Sequence, residues 1–150
     1  MIRQATSEDL RRIVEMSERF YPHTSYWLIS QIPFNANAVA VLAQGLIEGS
    51  LFHVAENEEG IVIGMIGTII MPFLFNPEYL HAGEIVWWVE PEYWNSGIGV
   101  QLLDINEATA KEKGVHHLQM IDLPNSPLSA RKLYEHRGYV LTEQSWTKVL

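Results

Sequence analysis

Apolar positions along this chain follow two periods, and the switches between them mark out its elements. Residues 2–5 alternate like a short strand, and Leu10, Ile13, Val14 and Phe20 then recur at helical spacing. Thr6 stands as N-cap of that helix, with Glu8 and Asp9 in the first turn, where the helix dipole favours acids. Residues 21–34 carry Pro22, Pro33 and several aromatics, and are expected to be irregular apart from a helical turn near Trp27, Leu28 and Ile29. Asn35 or Asn37 caps a second helix running to about Glu48, with Gly49 placed to end it. Residues 51–56 and 61–71 read as strands joined by the acidic hairpin turn Asn57-Glu58-Glu59-Gly60.

The second half continues in the same alternation. Residues 72–83 read as a loop containing Pro72 and Pro77, and 84–89 as a strand. Strand alternation would put Glu84, Val86, Trp88 and Glu90 on one face, unless a bulge shifts the register. A long amphipathic helix begins near Val100 and ends at Gly114, behind Lys111 and Lys113. Residues 117–123 form a further strand. Ser126 and Pro127 resemble an N-cap and its following proline, opening a helix that Gly138 closes. Residues 139–150 read as a final strand. That order builds a mixed sheet with helices on both faces, in a single domain spanning residues 1–150.

Composition narrows the function classes. With 47% hydrophobic and 19% charged residues over 150 positions, the chain has the make-up of an ordinary globular domain. A net charge of −8 argues against a nucleic-acid binder, which concentrates Lys and Arg on one face. It is compatible with a cationic substrate, although solubility is the plainer reading. The absence of cysteine excludes disulfides, thiolate metal sites and a cysteine nucleophile. The most apolar stretch, 61–75, is too short to span a bilayer as a helix and contains Gly64, Gly67 and Pro72. The first residues lack the apolar core of a signal peptide, so a cytoplasmic protein with no membrane partner is expected.

Candidate chemistry gathers at residues 91–100, Pro-Glu-Tyr-Trp-Asn-Ser-Gly-Ile-Gly-Val. A strand, a glycine turn and a helix start in that order make an anion site, with pyrophosphate the first ligand to consider. A dinucleotide fingerprint would need a third glycine where Leu102 stands, and the Gly-Lys-Ser/Thr ending of a P-loop is absent. His116 and His117 point to opposite faces of a strand and lack a third ligand, so no metal site is expected. His53 and His136 read as surface or packing residues.

Three stretches together resemble the GNAT superfamily of N-acetyltransferases. They are the opening Ile2-Arg3-Gln4-Ala5-Thr6-Ser7-Glu8-Asp9-Leu10, residues 84–100, and Ala130-Arg131-Lys132-Leu133-Tyr134 with Gly138-Tyr139. The resemblance implies a mixed α/β fold: a mostly antiparallel central sheet of six to seven strands, with about four helices on both faces. It implies acetyl-CoA as co-substrate, held by Val89, Asn95, Ser96, Gly97, Ile98, Gly99, Val100 and Asn125. Glu84 is implied as general base and Tyr134 as donor to the departing thiolate, with the backbone N–H near Val89 polarising the acetyl carbonyl. A base is needed because an amine of pKa ~10.4 is mostly protonated at neutral pH, and a half-buried carboxylate with a raised pKa can accept that proton. His81 and Glu90 are fallback bases. The plainer readings are a sheet-edge carboxylate for Glu84 and a core tyrosine for Tyr134.

The chain departs from the family pattern at Trp94, where Arg or Gln is usual, and at Asn95, which replaces a frequent glycine. It departs again at Pro127, where relatives often carry an Asn, and Asn125 lies close by. The implied reaction moves an acetyl group from acetyl-CoA to a primary amine by direct attack in a ternary complex. The alternative is a non-catalytic acyl-CoA-binding or interaction module on the same fold. The acceptor, a small-molecule or peptide amine, is left open. Tyr21, Trp27, Phe73, Phe75 and Tyr79 either line its pocket or cover the sheet. The aromatics of these loops permit a homodimer without requiring one.

Overall fold

The computed structural model describes residues 1–124, 126 and 128–150. Its frame is a sheet in chain order: β1 (Ile2–Gln4), β2 (Leu51–Glu56), β3 (Val62–Phe73), β4 (Asn76–Val89) and β5 (Val115–Gln119). β1 to β4 pair antiparallel, and β5 joins β4 in parallel. The helices are α1 (Leu10–Phe20), α2 (Ser25–Ser30), α3 (Ala36–Gly49), α4 (Ile98–Glu112) and α5 (Leu128–His136).

Period-two alternation gives the sheet two buried faces. Val54, Met65, Val86 and Trp88 pack with Ile13 and Met16 of α1 and Ala43 and Leu46 of α3. Ala55, Ile66, Trp87 and Val89 pack with Leu102 and Leu103 of α4 and Tyr134 of α5. Local signals set the helix ends. Asn35 accepts from the Ala38 N–H at 3.1 Å, and Gly114 and Gly138 take left-handed φ values of 76° and 82° where α4 and α5 stop.

Two expected elements differ in the structure. Residues 72–83, expected as a loop, belong mostly to a long β3–β4 hairpin in which Met71 faces His81 and Pro72 faces Leu80. Pro72 is tolerated because the ladder is already irregular between Pro72 and Phe73. The final strand expected at 139–150 is not formed. Val140, Leu141 and Trp146 lie exposed there, and a β-pattern without a ladder partner does not make a strand. β5 likewise stops at Gln119 rather than Leu123. The described sheet therefore has five strands with five helices, not six to seven strands with about four.

The feature that positions the site is a bulge. Thr68 faces Glu84 and Gly67 faces Val86, so Ile85 is an extra residue in β4. Gly67 makes room opposite it, because a Cβ there would lie 2.9 Å from the Phe52 ring. Gly67→Ala is therefore expected to cost roughly 1–3 kcal/mol through overpacking. Gly45→Ala, in the exposed middle of α3 with nothing within 4 Å of the added carbon, should stabilise by up to about 1 kcal/mol. Urea midpoints of the two variants, moving in opposite directions, check both statements.

Candidate active site

The β4–β5 ladder ends at the Gly83–Gln119 pair, and Glu84 is the first residue of β4 beyond it. The bulge at Ile85 corrects the simple alternation. It separates Glu84 from Val86 and Trp88 and turns it toward the α5 side. Its Oε2 accepts from the Ile121 N–H at 2.8 Å. The Tyr134 hydroxyl donates to the Ile121 carbonyl at 3.3 Å. One residue's main chain thus gathers the two side chains that the sequence singled out, at the place where the strands part.

Their environments separate their protonation behaviour. Burial pushes the Glu84 carboxyl up to about 7, with the Ile121 N–H pulling in the other direction. Burial, and then the charge of Glu84, raises Tyr134 well above the ordinary phenol value. Tyr134 accordingly keeps its proton and acts as a donor. It is 8% exposed and packs against the rings of Trp87 and Tyr139. Tyr139 in turn donates to Glu107 of α4 at 2.8 Å, and Arg137 pairs with Asp104 and Glu107. These contacts hold the end of α5, and with it Tyr134, against α4.

The fallback bases stand elsewhere. Glu90 is buried on the α1 side, where it accepts from Arg12 at 2.6 Å and Arg19 at 2.8 Å. Such a doubly paired carboxylate ties α1 to the end of β4 and is not available as a base. His81 stacks near Phe73 and His117 on the β3–β4 hairpin.

The turn after β4 supplies main-chain donors. The Glu90 N–H donates to Ile63 at 2.9 Å, so the N–H and C=O of Val89 face the open edge of β4. Trp94, unforeseen in this role, donates its indole N–H to that Val89 carbonyl at 2.7 Å. It also meets Trp88 edge-on. Asn95 and Gly97 adopt left-handed φ values of 64° and 85°, so the asparagine fills its position as the turn requires. The Ser96 hydroxyl donates to Tyr93 at 2.6 Å and accepts the Ile98 N–H at 3.4 Å. Intrahelical bonding starts with Gln101 donating to Gly97, which leaves the Gly99 and Val100 amides at the positive end of α4 outside the helical ladder. That donor set fits an anionic group. Asn125 lies outside the described residues. Among the described residues no cluster of three potential metal ligands occurs, and no helix is long and apolar enough to cross a membrane.

Residues 8–139 match the Acetyltransferase (GNAT) family. The chain belongs to the GNAT acetyltransferase family. A transcriptional regulator from Bacillus halodurans C-125 has the same fold, with 21% identity, a TM-score of 0.76, and 100% of this chain and 99% of that one covered. A predicted acetyltransferase from Clostridium acetobutylicum, solved with acetyl-CoA, has 17% identity and a TM-score of 0.75 over 100% and 95% of the two chains. AAC(6')-Iy, solved with the bisubstrate analog CoA-S-monomethyl-acetylneamine, has 16% identity and a TM-score of 0.76 over 100% and 97%. No curated protein matches in sequence. At these identities the solved structures speak for the fold of this GNAT protein alone.

Glu84 should leave a pH signature on stability. Its folded value of about 7 lies above the ordinary 4.5, so between those values the folded state holds a proton that the unfolded chain has lost. Linkage then makes stability fall as pH rises from about 4.5 to about 7. Glu84→Gln keeps an acceptor for the Ile121 N–H but removes the titration. Denaturation curves should show the variant losing less stability than the wild-type protein across that window.

Proposed function

We propose that this GNAT protein moves an acetyl group from acetyl-CoA to a primary amine by direct attack in a ternary complex. The observation that carries the proposal is the convergence of Glu84 and Tyr134 on Ile121 where β4 and β5 part. Acetyl-CoA supplies the acyl group as a thioester. The Gly99 and Val100 amides, outside the helical ladder of α4, receive its pyrophosphate within the turn formed by Asn95, Ser96, Gly97 and Ile98, and the Val89 N–H polarises the thioester carbonyl. Asn125 is assigned to the pantetheine arm on the family resemblance alone.

Glu84 accepts the ammonium proton of the acceptor. A carboxylate with its pKa near 7 is a stronger base than an ordinary glutamate and is still about half ionised at neutral pH. Tyr134 donates its proton to the departing sulfur as the C–N bond forms and the C–S bond breaks. It regains one from the new amide nitrogen through water. The chain has no cysteine to carry an acyl group, which favours direct attack. The bisubstrate complex of the structural neighbour AAC(6')-Iy supports a site that takes both substrates together.

CoA thiol release, measured with acetyl-CoA and a panel of primary amines, tests the reading. With the best acceptor, kcat/KM should rise with pH to a plateau through an apparent pKa near 7. Glu84→Gln should lower kcat/KM by roughly 10²-fold or more and remove that rise. Tyr134→Phe should lower kcat by about 10-fold or more, the worth of a hydrogen bond to a charged group. Wild-type turnover in both variants would sink the assignment. Acetyl-CoA binding in calorimetry, with no thiol release for any amine, would make the protein a non-catalytic acyl-CoA-binding module instead.

A further inference from the structure

On the transfer reading, acetyl-CoA lies between two fixed points: its pyrophosphate at the start of α4 and its thioester beside Glu84 and Tyr134. The pantetheine arm that joins them must run past Val89, whose N–H and C=O face the open edge of β4. An open strand edge pairs readily with an extended chain that carries amides, and the pantetheine arm is such a chain. In this structure the Val89 carbonyl already has a partner. The Trp94 indole N–H donates to it at 2.7 Å. An indole cannot offer its nitrogen alone, because ring carbons flank Nε1 on both sides. The ring therefore brings its bulk to the strand edge, where it also meets Trp88 edge-on with the ring centroids 6.1 Å apart.

Two features let this contact open. The Trp94 side chain is not locked into the core, since the residue is 51% exposed. Its backbone is held separately, with its own N–H donating to the Pro91 carbonyl at 3.2 Å. A side-chain rotation therefore releases the Val89 carbonyl while the turn keeps its shape. We propose that Trp94 is a displaceable latch on the open edge of β4: the indole N–H and a pantetheine amide N–H compete for the Val89 carbonyl, and acetyl-CoA binds by turning the indole out. The proposal rests on the acetyl-CoA reading of the site; the competition itself rests on the Trp94–Val89 contact. A ligand that needs the open form binds more weakly in proportion to the fraction of molecules in which the latch is shut. One net hydrogen bond sets that factor at about 2 to 10. The effect is selective. CoA and its thioesters must displace Trp94, whereas ADP carries the pyrophosphate without the arm and leaves the latch shut.

Calorimetry with CoA and with ADP on the full chain tests the latch. Trp94→Phe keeps a ring but loses the donor. It should bind CoA about 2- to 10-fold more tightly than the wild-type protein, with no gain for ADP. Trp94→Ala, which also removes the ring, should tighten CoA at least as much. In ¹H–¹⁵N spectra of the wild-type protein, the Trp94 indole resonance, assigned by its loss in either variant, should move with CoA and stay in place with ADP. CoA binding that is unchanged or weaker in both variants would overturn the latch and leave acetyl-CoA binding standing. An equal gain for ADP, or an indole resonance unmoved by saturating CoA, would do the same. No CoA binding by the wild-type protein or either variant would overturn the latch and the transfer reading together. Tighter CoA binding in both variants, with no thiol release from acetyl-CoA for any amine, would support the latch and overturn the transfer reading alone.

Discussion

One extra residue in a strand, Ile85, is the constraint on which the site depends. A strand of period two sends neighbours to opposite faces, and an insertion reverses the assignment of everything on one side of it. Downstream of the bulge, Val86 and Trp88 complete the core under α1 and α3, while Trp87 and Val89 complete the one under α4 and α5. Upstream, Glu84 is left at the end of the β4–β5 ladder, beside Tyr134. In an unbroken register its carboxylate would share the apolar face of Val86 and Trp88, where ionisation is costly. Gly67 answers the bulge from β3, and the absence of its Cβ lets the Phe52 ring close the layer.

The two carboxylates at the ends of this strand segment show how environment divides chemistry. Glu90 meets Arg12 and Arg19 and serves as a tie between α1 and the sheet. Glu84 meets one backbone N–H and burial, and its pKa rises toward neutrality. A paired carboxylate holds structure, whereas an unpaired and desolvated one is free to exchange a proton. Tyr134, held within α5 and flanked by Trp87 and Tyr139, keeps its proton and donates to the Ile121 carbonyl. The same strand end carries the open Val89 edge, so the turn through Trp94, Asn95 and Gly97 grows directly out of the geometry that places Glu84.

Much of this was written locally in the sequence. β2, its acidic turn, the Asn35 cap, and the glycines after α4 and α5 each have short-range causes, and the structure follows them. Glu84 and Tyr134 were singled out through the family resemblance, and Asn95 through its tolerance of a left-handed turn, which it adopts. The bulge was not, because a one-residue insertion leaves no mark on composition. The β3–β4 hairpin hid behind Pro72, Pro77 and exposed aromatics, which imitate a loop. The segment from Val140 onward shows the reverse error, since its apolar residues have the pattern of a strand without a partner to pair with. The Trp94 contact arises where a turn folds back on the strand before it, beyond the reach of any periodic pattern.

The Ile85 bulge holds Glu84 in a desolvated position at the parting of β4 and β5, bonded to one backbone N–H. The most direct measurement is a ¹³C NMR titration of the glutamate side-chain carboxyls, with the Glu84 resonance assigned by its loss in Glu84→Gln. That resonance should titrate with an apparent pKa near 7; a value near the ordinary 4.5 would show that the bulge does not desolvate Glu84.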